Sequence, residues 1–549
     1  MTPPPTSDKH APDDAETETG EHEGTGLSQA QVRSEIQEYL HFQHQRRRLF
    51  PRAALVGVLA GLMGVLFRML LAGGDLLRND LIVLGRHWPA VGWLLPVLFG
   101  SATAAAAVFM TRRFAPEAAG SGIPHLEAVL HRLRELKWRR VLPVKLVGGT
   151  LAIGGGMALG REGPTVQMGG AVGAAVADWL HAGSRERLTL IAAGAGAGLA
   201  AAFNAPLAGV IFVLEEVQKD FRQAVFGAAF ISAAAADIVT RLASGQLPDF
   251  HIPSYPVPSL KALPAFVLVG LAAGGLGIVY NRTLVATLNA FARIPQGKKW
   301  MGGAAVGACV GLAGWYSPLA VGGGHPLAEY FLTGRAVLLA LPVWFILRFA
   351  LSMTSYATGA PGGIFAPLLV LGASLGLFVG LLTQHAFPHL VPTPAAFAVV
   401  GMAAYFTAIV RAPLTGIVLI LEMTGNYAQM LPLVVACFCA YALAELAGDL
   451  PIYEALLERD LLRGGTPLNP TEPIVLELEV EPGAPFEGCR VRELGLPPGV
   501  LLISLRDGDR EMVPTSDSVV EAHMRVTAVV SPESKRGAEA FRFGCDAPG

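Results

Sequence analysis

The stretch GREGPTVQMGGAVG (residues 160–173) places a charged pair, Arg161–Glu162, inside sequence that otherwise reads as buried. Set against GIFAPLLVLGASLG (363–376), it shares glycines at positions 1, 10 and 14 and a proline at position 5. Its neighbours repeat as well: GSGIP (120–124) matches GGGHP (322–326), and APLAGVIFVLE (205–215) matches APLTGIVLILE (412–422). The offsets are 202, 203 and 207 residues, in unchanged order. Chance matches do not keep order and near-constant spacing. The chain therefore carries two copies of one bundle, at about 50–255 and 260–450, an arrangement that places a transport site between halves.

Composition makes that bundle a membrane bundle. The 549 residues are 52% apolar and only 15% charged, with a mean hydropathy of +0.48; soluble domains carry about 25% charged residues. The 64 glycines suit close helix packing in a bilayer. A formal net charge of −2 gives no reason to expect a nucleic-acid partner. The five cysteines are scattered without a C-x-x-C pair, so neither a disulfide framework nor a metal site is expected. No cofactor and no catalytic residue are expected either; the chain does not read as an enzyme.

Residues 1–27 are polar and acidic, without the features of a signal peptide, and read as a disordered tail. Ser28 and Gln31 form a capping-box pattern opening a polar cytoplasmic helix over 28–48. That helix ends in Arg46–Arg48 directly before the first apolar run, which places the amino terminus in the cytoplasm. The basic loop HRLRELKWRR (131–140) is expected on the same side. The membrane domain covers 49–460. Many of its apolar runs fall short of the ~20 residues a full span needs, and glycines and prolines interrupt them, as in helices that break mid-membrane around a site. After a linker at 461–471, residues 472–535 alternate in short strands with Pro/Gly turns, a small α+β or β-rich soluble domain. Residues 536–549 read as a tail.

GSGIP, GREGP and GGIFAP (362–367) share one design. A glycine lets a ligand approach backbone, and a proline fits the first helical turn. The unpaired N–H groups of a helix start then favour an anion. Helix breaks made for packing alone are the plain alternative. Glu162, on such a start, is itself an anion. Ionised, it can occupy an anion site; protonated, it can leave. An ion pair with adjacent Arg161 is the alternative reading, although neighbours on a helix do not face each other. Glu215 of VLEE is matched by Glu422, whereas Glu216 faces Met423 in the repeat. Glu216 is thus a carboxylate added to one half only, a candidate second acid for a proton relay, or simply a solvated helix end. His125 reads as structural. Asn204 and Arg411, each preceding an APL motif, read as caps or loop anchors.

Together GSGIP, GREGP, GGIFAP, FNAPLAGVIFVLEE and RAPLTGIVLILEMT resemble the CLC family of chloride channels and chloride/proton antiporters. The resemblance spans about 45–460 and implies an all-α polytopic fold of two inverted halves with broken, tilted helices. It further implies a homodimer with one pore per subunit, both termini cytoplasmic, in a prokaryotic inner membrane. Chloride would be coordinated by the Ser121 hydroxyl with Gly122 and Ile123 of the same motif. Backbone amides of Ile364 and Phe365 would add to it, and Tyr453, in LPIYEAL, would close the site from inside. Glu162 would be the gating glutamate and Glu216 the internal proton-transfer acid, with Glu127, Arg161 and Gly163 in support. Ser121 argues for chloride over nitrate or fluoride. His125 departs from the glutamate common in bacterial relatives. The carboxy-terminal domain is similar to the TrkA-C domain of potassium-transport regulators, which implies a nucleotide or cyclic dinucleotide ligand; a dimerisation or stability module is the alternative. The resulting expectation is chloride/proton antiport. A passive chloride channel of the same fold, and an anion-sensing membrane protein signalling through its carboxy-terminal domain, stand as alternatives.

Overall fold

A computed structural model describes residues 29–88, 90–219, 223–389, 391, 393–463, 473–508, 510–531 and 534–546, with side chains in the first helix from Arg47 onward. The expected acidic tail and Ser28 of the expected capping box lie outside the described residues, as do 464–471 of the expected linker and 472, the first residue of the expected soluble domain.

The two halves unfold in the same order. In the first, α1 (Gln29–Gly85) and α2 (Leu94–Phe114) precede α3 (Ile123–Leu130), α4 (Trp138–Gly154), α5 (Glu162–Trp179), α6 (Ser184–Phe203), α7 (Pro206–Phe212) and α8 (Gln223–Ser244). In the second, α9 (Leu263–Ala292) and α10 (Lys299–Tyr316) precede α11 (His325–Leu332), α12 (Ala340–Ala357), α13 (Phe365–Ala386), α14 (Ala395–Val410), α15 (Pro413–Thr424) and α16 (Met430–Leu446). A further helix, α17 (Ile452–Arg463), carries Tyr453. Residues 29–48 of the expected polar helix are helical, and Pro51 lies within the range of α1.

Local chemistry recurs across the halves. The short helices α3 and α11 have eight residues each, a proline in the first turn, and a glycine N-cap in the left-handed region (Gly122, φ 83°; Gly324, φ 85°). That backbone costs little only for glycine. Asn204 (φ 54°) and Arg411 (φ 69°) are the matching C-caps of α6 and α14. Where α5 crosses α6, Gly169 meets Gly194; where α13 crosses α14, Gly372 meets Gly401. A methyl group on any of the four would collide with its partner's carbonyl, so these crossings require backbone-to-backbone approach.

Among the described residues, seven helical segments are long and apolar enough to cross a membrane, including Arg47–Gly85, Leu94–Phe114, Leu260–Ala292 and Phe365–Ala386. They expose large apolar side chains such as Leu62, Met69, Leu98, Phe109 and Ile346, as a lipid-facing surface does. In contrast, α5 is buried from Glu162 to Ala177 and α14 over its whole length. The buried helices α5 and α14 thus sit inside, and the spanning segments supply much of the apolar surface.

The soluble domain is a four-stranded antiparallel sheet in the order β1–β4–β2–β3, with β1 Ile474–Glu479, β2 Val500–Asp507, β3 Arg510–Met512 and β4 Arg525–Val530. Val480, Phe486, Leu505, Val526 and Ala528 form its core. The expected tail 536–549 needs correction. Residues Lys535–Cys545 form a helix, α18, whose Phe541 and Cys545 are fully buried in that core. Only two apolar side chains on a short polar helix do this packing, too weak a pattern to read as a core element in sequence.

Candidate functional site

Backbone bonds knit the three glycine-rich turns together. Gly120 donates to the Ala360 carbonyl (3.3 Å) and accepts from Gly362 N–H (3.0 Å), while Gly160 and Gly363 exchange both bonds at 2.7 Å. Buried cations hold the GSGIP turn and its repeat mate GGGHP from behind. Lys145 Nζ donates to the carbonyls of Ala118 (3.0 Å) and Gly120 (2.7 Å). In the second half, Arg348 Nη1 donates to Ala320 and Gly322, both at 3.0 Å. Neither cation has been singled out from sequence, although Arg348 follows Lys145 by 203 residues, within the repeat offsets.

Glu162 opens α5 and is 1% exposed. Its Oε2 accepts from the Ala366 N–H at 3.3 Å, in the first turn of α13. The carboxylate therefore sits on the helix start of its own repeat mate, where unpaired N–H groups and the helix dipole favour an anion. Ile364 and Phe365 form that same start. Ser121 is fully buried; its Oγ accepts from Ile123 N–H (3.4 Å) and Tyr356 Oη (3.5 Å). Gly163 packs so closely on Ser121 that a Cβ there would lie 2.8 Å from the Ser121 Cβ. The Phe365 ring stacks on Tyr453 at 6.4 Å. Tyr453 is itself fully buried, and its hydroxyl has no hydrogen-bond partner. A buried hydroxyl without an acceptor is costly, and an anion is a suitable acceptor.

Arg161 does not pair with Glu162. Its Nη2 lies 2.9 Å from both carboxylate oxygens of Asp249, which decides against the ion-pair reading of the Arg161–Glu162 dipeptide. Asp249 and Tyr356 also escaped the sequence reading; nothing in their local sequence marks them.

Glu216 lies elsewhere, in a π-helical turn (Val213–Val217) that follows α7. It is 4% exposed, and its Oε1 is buried without a hydrogen-bond partner, so it is not a solvated helix end. Lys219 bridges Glu127 (3.1 Å) and Glu454 (2.5 Å), bringing Glu127 to the same region. Glu215 points differently: it accepts from the N–H groups of Leu414 (3.0 Å) and Thr415 (2.7 Å) at the start of α15. Glu422 answers from the other half, accepting from Leu207 (3.2 Å) and Ala208 (2.8 Å) at the start of α7. His125 Nδ1 lies 3.3 Å from Gln167 Nε2, a packed interior contact. No cluster of three or more metal-ligating side chains occurs among the described residues.

These groups line separate cavities. One of about 460 Å³ is lined by Glu162, Arg161, Arg68, Asp249 and His325. A second, of about 790 Å³, is lined by His125, Tyr356, Arg112, Arg134 and Lys137. A third, of about 420 Å³, reaches Glu216 beside Lys219, Glu445 and Glu454.

Residues 103–445 match the family described as voltage gated chloride channel. The chain belongs to the CLC family. Residues 475–539 match the TrkA-C domain. An H(+)/Cl(−) exchange transporter ClcA of Vibrio cholerae serotype O1 (strain M66-2) is 42% identical over 415 residues, 74% of this chain and 88% of the relative. A slow cyanobacterial Cl−/H+ antiporter of known structure superposes with a TM-score of 0.73 at 36% identity, covering 76% of this chain and 98% of the other. A eukaryotic CLC transporter gives 0.64 at 25% identity, covering 81% and 78%. Within the CLC fold, the paired helix order above is the two inverted halves, and the matched cores leave the soluble domain as an addition to the membrane unit.

Proposed function

We propose that this protein exchanges chloride for protons across a prokaryotic inner membrane, with both termini in the cytoplasm. The observation that carries the reading is the Glu162 carboxylate resting on the first turn of α13. A carboxylate and a halide compete for the same N–H groups. Protonation neutralises Glu162 and frees the helix start for chloride; chloride departure lets the ionised side chain return. Ser121 Oγ, the Tyr453 hydroxyl and the amides of Ile364 and Phe365, with the Gly122–Ile123 start of α3, are the groups to hold chloride. Binding through dipoles and hydroxyls, without a full positive charge, keeps the ion exchangeable. Glu216, with its separate cavity, is the acid that supplies the protons. Glu127, Arg161 and Gly163 support these groups.

A homodimer accounts for the apolar side chains that α7, α8 and α15 expose together, among them Leu207, Phe226, Phe230 and Leu414. The TrkA-C domain is the regulatory module of this reading, with a nucleotide or cyclic dinucleotide as its ligand; calorimetric titration of the full-length protein with ATP and with cyclic di-AMP tests that assignment.

The deciding experiment is reversal-potential measurement on purified protein in planar bilayers under opposed chloride and pH gradients. Exchange shifts the reversal potential away from the chloride equilibrium value in proportion to the pH gradient. A potential that follows chloride alone means a passive channel.

A further inference from the structure

Glu162 lines a cavity with six other ionisable side chains: Arg68, Asp75 and Arg78 from α1, Arg161 from its own N-cap, Asp249 from the loop after α8, and His325 from α11. The α13 residues lining it, Ala366, Leu369 and Val370, carry no charge. Asp75 and Arg78 pair with each other at 2.6 Å. The remaining charges converge on Asp249. Besides Arg161, it accepts from Arg68 Nη2 at 3.0 Å, and the His325 Nε2 lies 3.3 Å from its Oδ2. Its side chain is only 8% exposed. His325 is in turn stacked on Phe250, with centroids 4.5 Å apart, so the imidazole is fixed against this carboxylate.

Arg161 needs a carboxylate. A guanidinium drawn into a partly buried cavity is costly without a counter-charge. Three acids line the cavity with it: Asp249; Asp75, which pairs with Arg78; and Glu162, within reach because Arg161 is the N-cap of α5 and stands outside the helix proper, where neighbours face apart. Were it to pair with Glu162, the acid would be held ionised and away from the helix start of α13. The competition between carboxylate and halide would then be biased by a fixed positive charge. Asp249 removes that option by occupying the guanidinium.

We propose that Asp249 is a positioning residue for exchange, holding the Arg161 guanidinium off Glu162 so that Glu162 is left to compete with chloride. This rests on the exchange reading above. A purely structural role, stapling the loop after α8 to α1, α5 and α11, predicts lost stability without a changed proton dependence. The two are told apart by the pH profile.

Chloride-driven proton uptake into proteoliposomes is measured across acid to neutral pH for the wild type, Asp249→Asn, and Asp249→Asn combined with Arg161→Gln. Glu162→Gln and His325→Asn serve as controls, the latter separating titration of the imidazole from that of Glu162. Asp249→Asn leaves Arg161 to pair with Glu162, and a neighbouring opposite charge favours the ionised acid. The midpoint of the pH profile is expected to move about one unit towards acid or further. The double variant is expected to return most of that shift, because the displaced guanidinium is gone. An unshifted midpoint in Asp249→Asn, or a shift undiminished in the double variant, overturns the proposal. Failure of the wild type to move protons overturns the exchange reading itself, and that outcome is separate. Should Asp249→Asn not be recovered folded, an experimental density map of the wild type in chloride decides: the Arg161 side chain on Glu162 instead of Asp249 overturns the proposal.

Discussion

Glu162→Gln removes a titratable group and leaves shape nearly unchanged. A neutral amide cannot alternate between anion and acid, so proton uptake is expected to fall to the leak of protein-free liposomes while chloride flux persists, altered in rate. Coupled exchange surviving this change would exclude Glu162 as the gate. Glu216→Gln is expected to stop protons and leave chloride moving, because Glu216 is reached through its own cavity; pH-electrode and chloride-electrode traces on the same vesicles check both variants. At this scale the sequence was informative where chemistry sits inside a motif. Ser121, Glu162 and Phe365 lie in glycine-flanked turns that advertise themselves. Lys145, Tyr356 and Asp249 act on those turns from distant segments and carry no local signature. Only Lys145 left a trace, through its repeat mate Arg348.

Helix starts are the working unit of the next scale. Glu215 caps α15 and Glu422 caps α7, each with two backbone N–H bonds. Loss of a capping carboxylate typically costs about 1 kcal/mol. Glu422→Gln is therefore expected to lower the thermal midpoint by a few degrees without abolishing exchange, as read by fluorescence-detected size exclusion after heating. In the soluble domain, α18 contributes Phe541 to a core with few large side chains. Phe541→Ala should cost about 3–5 kcal/mol there, seen as protease sensitivity of residues beyond Arg463. Burial pushes the Cys545 thiol up to about 11. Its protonated form is favoured in the fold, so that contribution is full below the unfolded value of about 8.5 and is lost as pH rises towards about 11. Alkylation of Cys545 at neutral pH is expected only after the domain unfolds. The boundaries of α3, α5 and α13 were legible from proline and glycine placement. The role of α18 was not, since its buried stripe is two residues wide.

For the whole molecule, the repeat was the decisive sequence signal, because it constrained topology before any single helix was assigned. What it could not convey is how the copies meet. The reciprocal capping by Glu215 and Glu422, and the glycine contacts of α5 with α6 and α13 with α14, are relations between segments far apart in the chain. Dimerisation belongs to this scale too. If the proposed homodimer forms through the apolar surface of α7, α8 and α15, Leu207→Trp with Leu414→Trp is expected to shift the protein to a monomer by light scattering in detergent, with the fold of each subunit retained.

The crossed caps also bear on origin. A primitive chain with a single copy, holding one such glutamate and one uncapped helix start, could satisfy neither within itself. It would have found both on a twin molecule. Duplication and fusion of such a chain would turn a bond between two polypeptides into one within a single chain. Split near residue 258, the present protein should fail when either piece is expressed alone, yet assemble when both are made together; accumulation of a stable lone piece would argue against that ancestry.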